Sequence, residues 1–162
     1  MKCQQLSLLK SKIMDDIFDL KFTFEQKVKE EVIDLFSDKQ GGQFGVFSYQ
    51  WQCFVWAATI GFIKDIKRPV GSPIADRPFN LNTMIHTKGE KDARALICMC
   101  VARAGNIDIL KNPENAISLI NEYANGGFYW ILERMQENPA LNGFEWVKQE
   151  VFTREPAVNL SK

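Results

Sequence analysis

Histidine occurs once in this 162-residue chain, at His86, and that scarcity narrows the chemistry at once. A nucleophile-and-base hydrolase needs a serine or cysteine within reach of an imidazole. The single imidazole lies in Met84-Ile-His-Thr-Lys88, at the end of a proline-rich stretch, where a surface position is the expectation. Cysteine is sparse as well. Cys3, Cys53, Cys98 and Cys100 lack the spacing of a disulfide framework, and no C-x-x-C pair with further ligands is there to hold zinc. They read as reduced thiols serving as small core residues, so neither a metal nor a cofactor is expected. The phosphate-cradling pattern G-x-x-x-x-G-K-[ST] is missing, and Gly41-Gly-Gln-Phe-Gly45 is glycine-rich without the lysine. Long apolar runs are missing too. The best, Cys53 to Ile63, is 11 residues long, short of the roughly 18 needed to cross a bilayer. No basic stretch followed by an apolar block opens the chain, and the cytoplasm is the expected location.

What is present is a core. Apolar residues make up 46% and charged residues 25%, an ordinary globular balance, and 19 aromatics can fill one large interior. The length suits one domain, here taken as 1–155 with its core at 47–136, followed by a tail at 156–162. The fold class read from the periodicity is mainly α. It comprises a single compact domain of about five principal helices with one long Pro-rich loop.

Leu6, Leu9, Ile13, Ile17 and Leu20 recur at three and four residues and predict a helix from about Ser7 to Leu20. Val28, Val32, Leu35 and Phe36 predict another over about 24–37. Gln43 to Phe47 fits either a short strand or an approach to the next helix. A helix from Ser48, read as its cap, to about Lys64 carries Trp51, Phe54, Val55, Ala58 and Phe62 on one stripe. Ala57, Ala58 and Gly61 leave that helix a face with little bulk. The loop from Lys67 to Gly89 contains Pro69, Pro73 and Pro78 and is the expected place for mobility or partner contact. A fourth helix is expected over about 90–104, closed by Gly105 in the left-handed conformation. Asn106-Ile-Asp-Ile-Leu110 reads as one helical turn. Asn112-Pro-Glu114 is a strong start for a fifth helix, with asparagine as cap and proline at the first position. Gly126-Gly127 falls inside that helix. Two interior glycines cost about 2 kcal/mol relative to alanine, so a close crossing or a kink is expected there. A short amphipathic helix is expected beyond Asn138-Pro139, from Phe144, Trp146, Val147 and Val151.

The zero net charge conceals an asymmetry. From Gly61 to Arg94 seven bases face four acids, a net of +3; from Pro113 to Glu155 seven acids face three bases, a net of −4. Lys64, Lys67 and Arg68, with Arg77 and Lys91, are therefore the candidate anion- or nucleic-acid-binding residues. The blander reading of Lys64 to Arg68 is a basic helix end complementing its own dipole. Three or four phosphate contacts give weak, salt-sensitive binding per monomer, which a homo-oligomer would multiply. Glu122, beside Tyr123 and Asn125, is the one carboxylate next to a backbone irregularity, and capping or inter-helix hydrogen bonding is its main reading. Asp15, Asp16 and Asp19 have the spacing of a solvated face rather than of a metal site.

Four segments in order resemble a known family. Phe54-x-Trp-Ala-Ala-x-x-Gly-Phe62, Lys67-Arg-Pro69, Ala102-x-Ala-Gly-Asn-Ile-Asp-Ile-Leu110 and Glu122-Tyr-Ala-Asn-Gly-Gly127 together are similar to the Dnd system-associated protein 4 family. More distantly the layout resembles the DndE-like small helical subunits. The resemblance spans about 47–135. It implies a bacterial locus for DNA phosphorothioation, in which a backbone phosphate oxygen is replaced by sulphur, and an accessory role in modification, restriction or defence without an established enzymatic activity.

The expected function is thus a non-catalytic accessory protein that binds DNA backbone, another protein of the same system, or both. Gly61, Glu122, Tyr123, Asn125, Gly126 and Gly127 are expected to serve structure. The rival is an oligomeric scaffold or adaptor that ignores nucleic acid and assembles through aromatics such as Trp130 or Trp146. A third reading, a metal-dependent nuclease using Glu122 and Asp92, has the least support in the residues.

Overall fold

The structure is a computed structural model, and it describes residues 17–37, 45–74 and 79–139. Five helices form the frame. Gln26–Val28, a π-helical Lys29–Ile33 and Asp34–Phe36 run on as one helix, α1. Then come α2 (Gln50–Lys64), α3 (Leu81–His86), α4 (Glu90–Ala104) and, after a 3-10 turn at Ile107–Lys111, α5 (Pro113–Glu137). The fold is mainly α, and no named strand occurs among the described residues.

The most extensive pairing is α2 against α5, and the small residues explain it. A Cβ built on Gly61 would lie 2.0 Å from the Tyr123 carbonyl oxygen, and one on Gly127 would lie 1.8 Å from that of Ala57. The two backbones touch where side chains would otherwise hold them apart. The glycine pair therefore serves a close crossing inside an unbroken helix, and the helix cost of each is offset by the packing it permits. Around this contact Phe54 meets Phe22 at 4.9 Å, Phe79 at 5.2 Å and Phe128 at 6.2 Å between ring centroids. Phe62 stacks on Tyr123 at 4.2 Å. Each of these buried rings contributes on the order of 2 kcal/mol by leaving water.

The caps follow the sequence closely at two ends. Asn112 Oδ1 accepts the Asn115 N–H, Pro113 occupies the first turn of α5, and Gly105 closes α4 at φ 67°. The start of α2 is one residue later than the Ser48 cap implies. Tyr49 is the cap, because Gln52 Oε1 reaches back to accept the Tyr49 N–H at 3.0 Å. The predicted loop over 67–89 is also partly helical, since Asn80 Oδ1 caps α3 by accepting from the Thr83 N–H. The stretch at 45–47 is an approach rather than a strand, with Phe47 making a single bridge to Ser37.

The core reaches further toward the N-terminus than 47–136. Phe22, Phe24, Val28, Val32, Ile33 and Phe36 are buried in the same cluster as α2 and α5. An extended segment over 21–25 carries the first two, and the proline-rich chain clamps it from both sides. Phe22 N–H donates to Phe79 O at 2.9 Å and Ile74 N–H to Phe24 O at 3.0 Å. Most of the first predicted helix, the predicted helix at 144–151 and Arg77 lie outside the described residues. No helix among the described residues is long and apolar enough to cross a membrane.

Candidate nucleic-acid interface

Helix α2 ends in a turn that cannot wander. Asp65 adopts the left-handed conformation at φ 56°, and Ile66 N–H closes the turn by donating to Gly61 O at 2.9 Å. The turn then runs directly onto α5. Gly126 offers no Cβ, and one built there would lie 2.2 Å from the Ile66 carbonyl oxygen. Arg68 N–H donates to Glu122 O at 3.0 Å, a helix carbonyl accepting a bond from outside its own helix. Tyr123 Oη donates to Asp65 Oδ1 at 3.0 Å. Asn125 Nδ2 donates to Pro69 O at 2.9 Å, with Arg68 O at 3.4 Å. The segment Glu122–Gly127 and the turn Lys64–Pro69, separate in sequence, are two halves of one structure.

A third element completes it. Glu25, on the extended segment before α1, accepts from Tyr129 Oη at 2.6 Å, from Gly71 N–H at 2.9 Å and from Asn125 Nδ2 at 3.1 Å. Asn121, Asn125 and Tyr129 are spaced by four, so they form one polar stripe along α5. Asn121 exchanges bonds with Thr23, accepting from its N–H at 3.2 Å and donating to its Oγ1 at 3.1 Å. Partial burial opposes ionisation of Glu25, but the three hydrogen bonds and the Arg68 charge outweigh it and hold the carboxyl below the ordinary glutamate range. The same bond pushes the Tyr129 phenol up, with burial and the Glu25 charge acting in the same direction and Arg68 against it.

On this base stand three cations. Lys64, Lys67 and Arg68 are all exposed. The Arg68 guanidinium lies 3.3 Å above the Tyr129 ring centroid, a stacking distance, and Lys64 Nζ lies 4.4 Å above that of Trp130. Lys67 is less free, with Glu122 Oε2 at 3.7 Å. Between the turn and α5 opens a shallow depression of about 340 Å³, with Ile66, Lys67 and Arg68 on one wall. Gly126, Tyr129, Trp130 and Glu133 form the other.

Of the predicted anion-binding residues, then, the structure brings Lys64, Lys67 and Arg68 together. Lys91 is exposed on the first turn of α4. It lies ~18 Å along the helix axis from Arg103, whose guanidinium meets Asp65 at 3.2 Å and the Phe62 carbonyl. Arg103 and Arg134 are basic residues near the turn that spacing did not single out; Arg134 stands 5.4 Å from the Trp130 ring centroid and pairs with Glu137 at 2.5 Å. Glu25 and Tyr129 were also unmarked in the sequence. Their one signal was the polar spacing Asn121, Asn125, Tyr129 along the well-buried middle of α5. His86 is exposed at the end of α3.

Of the described thiols, Cys98 is exposed on α4, against the expectation of a core residue, and the other two are in the core. Cys53 and Cys100 are buried, and burial pushes the Cys53 thiol up strongly and that of Cys100 up to about 11. Among the described residues no three His, Cys, Asp or Glu side chains converge as a metal would require.

One family model matches the chain, that of DNA sulphur modification system-associated protein 4, over residues 26–152. No curated protein and no solved structure matches.

Proposed function

Because the chain belongs to the DNA sulphur modification system-associated protein 4 family, we propose that it serves that system as a non-catalytic accessory protein that binds nucleic-acid backbone in the cytoplasm. The observation that supports this reading is the Lys64–Arg68 turn. Three exposed cations leave one backbone turn whose carbonyls and amides are tied to α5 at Glu122 and Asn125. Fixed cations lose less freedom on meeting phosphate than cations on a mobile loop. Aromatic rings lie beneath Lys64 and Arg68, and Glu25, whose charge Arg68 also meets, is held by three hydrogen bonds of its own. The bland alternative, a helix end complementing its own dipole, accounts for Lys64 but not for Arg68, which stands four residues past the end of α2 over a ring of α5.

Two or three phosphate contacts predict a salt slope of about −2 to −3 in log K against log[salt] on duplex DNA. Fluorescence anisotropy at stepped salt measures it. A Lys64→Ala/Lys67→Ala/Arg68→Ala variant is expected to lose most binding and flatten the slope, and unchanged binding by that variant would defeat the reading.

A second reading, docking to another protein of the system, is favoured by two exposed isoleucines. Ile63, at the end of α2, is 70% exposed, and Ile107, in the 3-10 turn, is 67% exposed. The scaffold variant through Trp130 has less support, since Lys64 and Arg134 stand against that ring. Trp146 lies outside the described residues.

A further inference from the structure

We infer that the depression between the Ile66–Arg68 turn and α5 takes a single unstacked nucleotide of single-stranded DNA, and that guanine is the base it fits best. This rests on the backbone-binding reading above and goes beyond it, because a bare phosphate site would be built differently. Three features of the wall decide the matter. The Arg68 guanidinium carbon stands 3.3 Å over the Tyr129 ring centroid, the spacing of one layer of a stack, and the residue is exposed. A planar base laid on the outer side of that guanidinium continues the stack as a third layer, which is how unpaired bases are held on arginine planes. Duplex DNA keeps its bases stacked on each other and offers no such layer.

Lys64 and Lys67 stand on the same turn as Arg68, one before it and one four residues before it. Cations spaced along a turn beside a stacked base suit the phosphates on either side of one nucleotide. Glu133 then supplies the discriminating feature. A carboxylate in the wall repels phosphate, so it argues against a site for the bare anion. It accepts hydrogen bonds from a base edge, and guanine alone among the four bases presents two adjacent donors, N1–H and the N2 amino group, to a carboxylate's two oxygens. The depression, about 340 Å³, is at the lower end of small-ligand sites and holds one nucleotide rather than an oligonucleotide.

The test uses the full chain with a fluorescein-labelled mixed-sequence 12-mer, single-stranded and as duplex, at constant salt, and with GMP, AMP, CMP and TMP as competitors. The expected result is single-strand binding about tenfold tighter than duplex, with GMP the strongest competitor. Arg68→Lys keeps the charge and removes the plane, so it is expected to abolish the single-strand preference while leaving duplex binding within about twofold. Glu133→Gln is expected to bring GMP to the level of AMP. Lys64→Ala, which leaves the stack intact, is expected to weaken both DNA forms alike. Equal binding of the two forms by the parent protein, or an Arg68→Lys variant that retains the preference, overturns the single-nucleotide inference and leaves backbone binding standing. No binding of either form overturns both.

Discussion

The side-chain amide of Asn125 donates to the Pro69 carbonyl at 2.9 Å and to Glu25 at 3.1 Å. One buried residue in the middle of the longest helix thus ties down the chain on both sides of the basic edge. The basic turn, the proline after it and the N-terminal extended segment all meet this amide. Replacing it with leucine leaves the Pro69 carbonyl and one Glu25 oxygen short of a donor. The expected loss is about 2–3 kcal/mol, read as a fall of roughly 5–10 °C in thermal midpoint. Asn125→Asp should be worse, since it sets a second carboxylate against Glu25. If both variants melt with the parent protein, the amide does not hold the turn.

The glycines of the α2–α5 crossing should tolerate nothing larger. Gly61→Ala and Gly127→Ala each drive a Cβ into a backbone carbonyl rather than a flexible side chain, so the helices must separate. A cost of about 3 kcal/mol is expected for each. Gly71→Ala is the control, because its added carbon would be 3.6 Å from the nearest atom, a Glu25 oxygen, and it should stay within about 0.5 kcal/mol. Urea unfolding of the three variants gives the comparison.

Glu25 makes the fold sensitive to acid. Its carboxyl is held below the ordinary glutamate value in the folded chain, so the unfolded chain binds the proton more readily. Its stabilising contribution is therefore complete above the unfolded value and drains away as pH falls through the lowered folded value. Stability measured from pH 6 downward should fall less steeply in Glu25→Gln than in the parent. Tyr129→Phe removes one of the bonds responsible while keeping the ring under Arg68, so the folded value moves back toward the unfolded one and the acid limb should become shallower, part of the way to that of Glu25→Gln. A Glu25→Gln protein with the same acid limb would show that other groups set it.

The helices and their ends were readable because their signals are local. Asn112-Pro113-Glu114 and Gly105 act within a turn of where they stand, and the stripe from Trp51 to Phe62 needs only its own periodicity. The Gly126-Gly127 pair announced a close approach, since nothing else justifies its cost in a helix, but not what approaches. The partner of Gly126 is Ile66, 60 residues away, and no local pattern names it. Glu25 was hidden for the same reason: its three donors come from residues 71, 125 and 129. The loop over 67–89 looked mobile by composition, yet Pro69 meets α5, Pro73 bridges to Glu25 and Asn80 bridges to Lys21, because their backbones found partners in other elements. Lys64, Lys67 and Arg68 were legible as a group, and which of them is already paired was not.

That pairing gives the most discriminating test of the anionic edge. Lys67 has Glu122 at 3.7 Å and the Tyr123 ring centroid at 5.8 Å, whereas Lys64 and Arg68 stand closer over rings of their own. Both members of the pair are partly exposed, so solvent screens the attraction, and it is worth at most about 1 kcal/mol. Glu122→Gln would release Lys67 toward a phosphate. DNA affinity should then rise, by up to about fivefold, and the salt slope should steepen by about 0.9, one additional contact. Lys67→Ala alone should weaken binding less than Lys64→Ala, because part of the Lys67 charge is already spent on Glu122. A nuclease relying on the Glu122 carboxylate behaves in the opposite way, since Glu122→Gln would then abolish metal-dependent cleavage. Anisotropy and a cleavage assay on the same variant thus separate a binding edge, in which Glu122 restrains a cation, from a catalytic one, in which it is indispensable.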